Sequence, residues 1–186
     1  MNTFFSLTES IEADPKEVLV ELEQNAEPLE SDYNTLWKGL SLNNKEKHTD
    51  FLKKAAFCDL KAFEIVLDSI TENSVLQMGN SSVVRYIQLF DPLSNINYLS
   101  NRGVSGIDGS TSTSVGFANK TNKTVTCITG DLSFIYDSNA FWNNYLTSNL
   151  KIIIINNGGG GIFKIIDGPN EVEELKKYFV AKQNIN

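Results

Sequence analysis

The spacing of apolar residues divides the chain into a helical first part and a strand-rich second part. Before residue 73, apolar residues recur at steps of three and four, which predicts a short helix over 15–24 and a longer one over 45–70. Asp14-Pro15 favours a helix that begins at residue 15, because Asp caps a helix and Pro fits its first turn. After residue 73 the apolar residues come in short, mostly β-branched runs, which predict four strands over 75–78, 96–99, 125–129 and 152–155.

Helical segments follow three of the four predicted strands. They cover about 82–90, 110–119 and 138–146, and a further helical stretch lies over 171–180. Strands that alternate with helices are typical of βαβ units, in which the strands run parallel. We therefore expect an α/β fold with a parallel sheet.

Each predicted strand ends in a polar or glycine-bearing loop, over 79–82, 100–109, 130–133 and 156–161. In a parallel sheet all four loops lie at one edge, where α/β proteins bind ligands. The loops carry carboxylate, amide and hydroxyl groups but no His or Cys, which suits Mg²⁺ with a phosphate and does not suit zinc or a thiol nucleophile. We also expect the four consecutive glycines at 158–161 to expose backbone N–H groups to an anion.

Composition excludes several classes of protein. Hydrophobic residues make up 41% of the 186 positions and charged residues 21%, which is enough for a core and argues against global disorder. The net charge of −7 argues against a surface that coats nucleic acid. No apolar run is long enough to span a membrane, and we expect no secretory signal, because the first 15 residues have neither a basic stretch nor a long apolar one. The two cysteines lie far apart in the sequence, which fits a reducing compartment, and we expect a cytoplasmic protein.

Two of the loops together resemble a cofactor signature. Gly130-Asp131 is followed, after a spacer and an apolar strand, by Asn156-Asn157, and this order is similar to the Gly-Asp…Asn-Asn motif of thiamine diphosphate (ThDP) enzymes. The resemblance implies that Mg²⁺, or Mn²⁺ in its place, is held by the Asp131 carboxylate, the Asn157 side chain and the Gly159 carbonyl, together with oxygens of the cofactor diphosphate.

The surrounding residues narrow the resemblance. The strings GNSSVVR, SNRGVSGIDGSTST, GDLSFIYDSNA and INNGGGGIF resemble the 2-succinyl-5-enolpyruvyl-6-hydroxy-3-cyclohexene-1-carboxylate (SEPHCHC) synthases of menaquinone biosynthesis, over about residues 75–165. This implies a ThDP-dependent transferase that decarboxylates 2-oxoglutarate and adds the succinyl group to isochorismate. The cofactor-binding residues it implies, with Ile107 supporting the two cofactor rings, are Ser81, Ile107, Gly130, Asp131, Leu132, Ser133, Asn157, Gly158, Gly159, Gly160, Ile162 and Phe163.

The arginines stand apart from the other basic residues. Of 16 basic residues only Arg85 and Arg102 are arginines, and both fall within strings that match the family. Because the guanidinium group binds a carboxylate through two hydrogen bonds, we expect both to bind substrate carboxylates, with the Ser81 hydroxyl as a partner. The alternative for Arg85 is a structural ion pair.

The resemblance also indicates what the chain does not contain. It implies a Rossmann-like domain, a three-layer parallel sheet with helices on both faces, that is truncated at its C-terminus and covers residues 36–186, after the tail of a central domain and a linker over 1–35. No segment resembles the pyrimidine-binding domain that supplies the catalytic glutamate from a partner subunit. We therefore expect no catalytic residue here, and a homodimer or homotetramer for the longer protein. The alternatives are another ThDP-dependent 2-oxo acid decarboxylase or synthase, and a non-catalytic ThDP-like domain.

Overall fold

The structure is a computed structural model that describes residues 5–168 and 171–183. It forms two compact units, residues 1–50 and residues 51–186. The first unit holds α1 (Pro15–Asn25) and most of α2 (Tyr33–Lys54). As the sequence predicts, Asp14 caps α1: its carboxylate accepts a hydrogen bond of 2.8 Å from the backbone N–H of Lys16. The predicted domain boundary at residues 35 and 36 stays a prediction.

The second unit is built on a four-stranded sheet whose strands are all parallel, in the order β2-β1-β3-β4. This confirms the predicted α/β fold with its parallel sheet. The strands are β1 (Val75–Met78), β2 (Asn97–Ser100), β3 (Val125–Gly130) and β4 (Leu150–Ile155). The helices around them are α3 (Asp59–Asp68), α4 (Ser82–Ile87), α5 (Ser110–Ala118) and α6 (Asp131–Tyr136).

Helices pack against both faces of the sheet. On one face Phe63 of α3 and Val83 of α4 join Leu76 and Ile128 of the strands in a buried apolar cluster. On the other face Ala118 of α5 packs with residues of β1 and β3. Successive residues of a strand point to opposite faces, so each central strand contributes to both clusters. The sheet therefore lies between two layers of helices.

The structure corrects the predicted helices in two places. The helix predicted over 45–70 is broken: α2 ends at Lys54 and α3 begins at Asp59, because Cys58, which precedes α3, has an extended backbone (φ −153°, ψ 175°) that interrupts the helix. The helix predicted over 138–146 is wrong. The helix after β3 begins at once, at Asp131, and the later segment forms only a 3₁₀ turn over Ser138–Phe141, where the Asn143 side chain donates to the Ala140 carbonyl (2.6 Å).

The stretch predicted as helical over 171–180 contains a π-helical turn over Leu175–Phe179. Across residues 5–168 and 171–183, no helix combines the length and the apolar character that crossing a bilayer would require.

Candidate functional site

The four strand-end loops converge, as the sequence predicts, on one cavity of about 290 Å³ at the carboxyl edge of the sheet. Residues that follow β1, β2, β3 and β4 all contribute to its lining. Ten of the residues proposed from the sequence line it, namely Ser81, Ile107, Gly130, Asp131, Leu132, Ser133, Asn157, Gly159, Gly160 and Phe163. The tertiary structure therefore brings most of the predicted site together.

Four proposed residues do not line the cavity. Ile162 is buried beside it, and Gly158 is half-buried in the glycine loop. Arg85 and Arg102 are exposed, and each is bonded to a residue of the cavity wall. None of these positions excludes the expected roles, which stay predictions.

Asp131 is the only carboxylate among the described residues that line the cavity. Its side chain is 2% exposed, and it accepts hydrogen bonds from the backbone N–H groups of Leu132 (2.7 Å), Gly158 (2.8 Å) and Gly159 (2.7 Å). Within the same described part of the chain, no Lys or Arg forms an ion pair with it. A buried carboxylate without a basic partner is costly in a protein interior. Of the roughly four lone-pair sites of this carboxylate, three accept these N–H groups, and one on Oδ1 is left for a cation.

Asn157 lies across the same cavity, at the end of β4. Its side-chain Nδ2 donates to Oδ2 of Asp59 at 2.8 Å. No hydrogen bond to its Oδ1 occurs within the described part of the chain. The oxygen of this amide is therefore available to a metal ion while its nitrogen is engaged elsewhere.

The glycine loop differs from the expectation that its N–H groups would be free for an anion. Gly158 and Gly159 donate to Asp131, Gly160 donates to the Val180 carbonyl (2.6 Å), and Gly161 donates to the Gly159 carbonyl (2.9 Å). The expectation of exposed N–H groups is therefore wrong for this conformation, because all four N–H groups donate to acceptors within the protein. The loop serves instead to bring the backbone against Asp131 and Val180.

A second polar network joins the loops after β1 and β2 around Asn80. This side chain is 2% exposed; its Nδ2 donates to the carbonyls of Asn101 (2.8 Å) and Gly106 (2.6 Å), and its Oδ1 accepts from Nη1 of Arg102 (2.9 Å). Asn80 therefore fixes both the Arg102 side chain and the loop that carries Ile107. Its place in the Gly79–Ser82 loop was the only signal for it in the sequence.

Ser81 and Arg85 lie at the start of α4. Ser81 has φ 65° and ψ −127°, a backbone conformation that a residue with a side chain rarely adopts. Nη1 of Arg85 donates to the Ser81 carbonyl (2.9 Å). Within the described residues Arg85 and Arg102 form no ion pair, and the Ser81 hydroxyl has no hydrogen-bond partner. The alternative interpretation of Arg85, a structural ion pair, is therefore wrong.

Ile107 and Phe63 provide apolar surface in the cavity lining. The Ser133 hydroxyl donates to the Ile107 carbonyl, which ties the loop after β2 to α6. Phe63, in α3, is fully buried and stacks on Tyr86 with ring centroids 5.1 Å apart. Burial raises the pKa of Tyr86, with a smaller contribution from the Asp59 carboxylate. Sequence reasoning did not connect α3 with the site, because helical periodicity gives no information about which loop a helix meets.

The donor set fits a hard cation that arrives with an anionic ligand. It offers a carboxylate without a basic partner, an amide oxygen, a backbone carbonyl and a free hydroxyl, and no thiolate or imidazole. The described residues contain no group of three or more His, Cys, Asp and Glu that could hold a metal ion. A metal ion here would therefore depend on Asn157 and a backbone carbonyl besides Asp131, and on oxygens supplied by a ligand.

Known proteins are similar in sequence to this chain over most of its length. The chain is 47% identical over 184 residues, 99% of its length, to the SEPHCHC synthase of Flavobacterium psychrophilum. It is 48% identical over 148 residues, 80% of its length, to that of Christiangramia forsetii, and 42% identical over 151 residues, 79% of its length, to that of Porphyromonas gingivalis. The chain belongs to the sequence family of these synthases. No protein-family model matches it.

The match concerns only part of each relative. The chain spans 34% of the Flavobacterium psychrophilum protein and 26% of each of the other two. The identities confirm the resemblance stated from the motifs, and the proportions show that the relatives are much longer than the chain. They leave the roles of the individual site residues as predictions.

Proposed function

We propose that the chain supplies the part of a SEPHCHC synthase that holds Mg²⁺ and the diphosphate of ThDP. The whole enzyme would decarboxylate 2-oxoglutarate and add the succinyl group to isochorismate. The observation that carries this proposal is the meeting of Asp131, Asn157 and the glycine loop around one cavity, in a chain 47% identical to a synthase of that name.

In this proposal Mg²⁺ is held by three groups of the chain. They are the Asp131 carboxylate, the Asn157 amide oxygen and the Gly159 carbonyl, and diphosphate oxygens and water complete the coordination that Mg²⁺ prefers. The three N–H groups that bond to Asp131 keep its carboxylate in one orientation. The carboxylate is then positioned before the ligand arrives, which reduces the ordering cost of binding.

ThDP supplies the electron sink on which decarboxylation of a 2-oxo acid depends. The chain's own residues bind and orient it. Ile107 provides an apolar support whose loop is anchored through the Ser133 hydroxyl and through Asn80. Phe63 and Phe163 add apolar surface to the lining of the cavity.

Arg85 and Arg102 bind substrate carboxylates in this proposal. Each has one Nη1–H engaged with a cavity-wall residue, which leaves the other donors of the guanidinium group for a carboxylate. Such charge-assisted hydrogen bonds contribute about 1.5–3 kcal/mol. Arg→Lys at either position should weaken 2-oxoglutarate binding to the cofactor-loaded protein by about tenfold.

The 186-residue chain alone is expected to bind the cofactor weakly and not to turn over substrates. Its relatives are about three times longer, and the glutamate that activates the cofactor ring belongs, by resemblance, to a domain that these residues do not resemble. Cytoplasmic location and assembly into a homodimer or homotetramer stay predictions from the sequence.

Calorimetric titration of the purified chain with ThDP, in Mg²⁺ and in EDTA, tests the proposal. We expect binding that requires Mg²⁺. Asn157→Ala is the decisive variant, because Asn157 is exposed and its loss should cost a ligand without disturbing the core. It should weaken Mg²⁺-dependent binding by about tenfold or more. Asp131→Ala should abolish binding, but it also breaks three backbone hydrogen bonds, so its melting curve must be recorded as well.

Asp68→Asn is the matched control, since Asp68 is an exposed acid at the end of α3 and does not line the cavity. It should leave binding unchanged. Equal ThDP affinity with and without Mg²⁺, or in wild type and Asn157→Ala, would contradict the proposed metal site. No binding of ThDP under any condition would favour the non-catalytic alternative.

A further inference from the structure

The contact between Asn157 and Asp59 points to a residue of the site outside the four strand-end loops. Asp59 is the first residue of α3, far from Asn157 in the sequence, and its Oδ2 accepts the Asn157 Nδ2–H at 2.8 Å. Phe63 lies one turn further along α3 and lines the cavity, so this helix packs against the same site.

An asparagine amide can present either its oxygen or its nitrogen to a given point, and only the oxygen binds Mg²⁺. A carboxylate accepts hydrogen bonds and does not donate them when it is ionised. Asp59 can therefore bond only the amide nitrogen, and this fixes the orientation in which Oδ1 of Asn157 is left without a partner in the described residues.

The carboxylate of Asp59 sits on a rigid support. Phe63 and Leu67 anchor α3 in the apolar cluster below the sheet, with exposures of 0% and 5%. The Lys61 side chain donates to the Leu52 carbonyl (3.1 Å), which holds the start of α3 against the end of α2. The helix cannot shift without disturbing the core, so Asp59 stays within reach of Asn157.

We infer that Asp59 is a positioning residue that orients Asn157 as an oxygen ligand for the divalent cation. This inference rests on the proposed function, which assigns Asn157 to the metal. It adds α3 to the elements that build the site. Groups behind metal ligands fix ligand orientation in this way, and their loss typically weakens metal binding by about 10–100-fold.

The experiment measures Mg²⁺ affinity by calorimetry in saturating ThDP, and the Asn157 side-chain amide signal by ¹⁵N NMR without metal. Asp59→Asn is nearly isosteric but can donate to Oδ1, so it should weaken Mg²⁺ binding by about tenfold or more. Asp59→Glu retains an acceptor-only group and should restore most of the affinity. Asp68→Asn changes the same charge on the same helix and should change neither reading.

The amide signal separates orientation from general damage to the fold. It should shift in Asp59→Asn and stay in place in Asp68→Asn, with melting temperatures near that of the wild type. The double variant Asp59→Asn, Asn157→Ala should bind Mg²⁺ no more weakly than Asn157→Ala alone, because both changes remove one interaction.

The outcomes distinguish this inference from the proposed function. Mg²⁺ affinity that stays within about twofold in Asp59→Asn, when Asn157→Ala loses about tenfold, overturns the inference alone. An unshifted amide signal, or losses that add in the double variant, also overturns it. Mg²⁺ affinity unaffected by Asn157→Ala, or absent in the wild type, overturns the proposed metal site and the positioning role together.

Discussion

Replacing Gly159 by alanine is expected to release the segment Leu175–Val180 from the glycine loop. Gly159 has φ +136°, a conformation that is nearly confined to glycine. A Cβ atom on it would collide with the Val180 carbonyl oxygen and lie 3.3 Å from the Val180 carbonyl carbon. Backbone cannot yield as a flexible side chain does, so the segment has to move away.

Whether the segment undocks depends on the strain in the docked state and on the contacts that undocking breaks. The unfavourable φ costs about 1–3 kcal/mol. Displacement of Val180 breaks the hydrogen bond that it accepts from Gly160, worth about 0.5–1.5 kcal/mol. It also separates the Phe163 and Phe179 rings, now 5.4 Å apart, for a further loss of about 0.5–1.5 kcal/mol. The two lost contacts oppose undocking by about 1–3 kcal/mol together. The strained φ and the clash between the new Cβ and the Val180 carbonyl both act against the docked state, so we expect the segment to undock.

Limited proteolysis and hydrogen exchange measure this undocking directly. Lys176 and Lys177 lie in the π-helical turn, so undocking should speed tryptic cleavage there, and the Gly160 amide should lose protection. The fall in global stability should be smaller than the docking loss, because a segment that has already undocked contributes nothing further to unfolding.

Alanine substitutions at the two neighbouring glycines distinguish the effect of backbone strain from that of steric conflict. Gly158 has φ +82°, but a Cβ atom on it would meet no atom within 4 Å, so Gly158→Ala should leave the segment docked. Gly160 has φ −73°, and a Cβ on it would lie 2.6 Å from the Phe179 carbonyl oxygen, so Gly160→Ala should undock it. Cleavage of Gly159→Ala at the wild-type rate, with the Gly160 amide still protected, would refute the reasoning.

Three further predictions concern stability. Burial raises the pKa of the Cys127 thiol to about 11 from 9.0, so its contribution to stability is present below about pH 9 and lost as the pH rises towards 11. Urea titrations should therefore show a loss of stability over this pH range that is absent in Cys127→Ala. Alkylation of the native protein should label only Cys58, which is exposed. Asp137 is 4% exposed and accepts the backbone N–H of Ser112 at 2.8 Å, so Asp137→Ala should cost about 1–3 kcal/mol in urea unfolding, and an unchanged midpoint would contradict this. Gly116 is exposed within α5, and a Cβ atom on it would meet no other atom, so Gly116→Ala should raise stability by about 0.5–1 kcal/mol. A lower melting temperature would contradict the placement of Gly116 at an exposed helical position.

The sequence predicted the sheet and the place of the site well. Four short apolar runs, each followed by a turn, identified the four strands to within two residues at either end, because β-branched runs and glycine turns are local features of the chain. Their alternation with helices indicated parallel strands, and parallel strands bring their carboxyl ends to one edge. The meeting of Ser81, Ile107, Asp131 and Asn157 at one cavity follows from these two facts.

The helices were less well predicted, because periodicity reports the side of a helix that is buried and not where its axis turns. The spacing of Leu52, Phe63 and Leu67 is continuous across the break between α2 and α3. That break makes Asp59 the first residue of a new helix and brings it to Asn157.

The sequence by itself determined the strands, their parallel direction, the loops that form the site and the family to which the chain belongs. Only the tertiary structure decided the partners of the polar groups within that site: the N–H groups of Gly158 and Gly159 on Asp131, the Gly160 N–H on Val180, and the Asn157 amide on Asp59. The physical reason is that strand formation depends on neighbours along the chain. A hydrogen bond, by contrast, requires two groups within about 3 Å, and only the packing of distant elements brings them there.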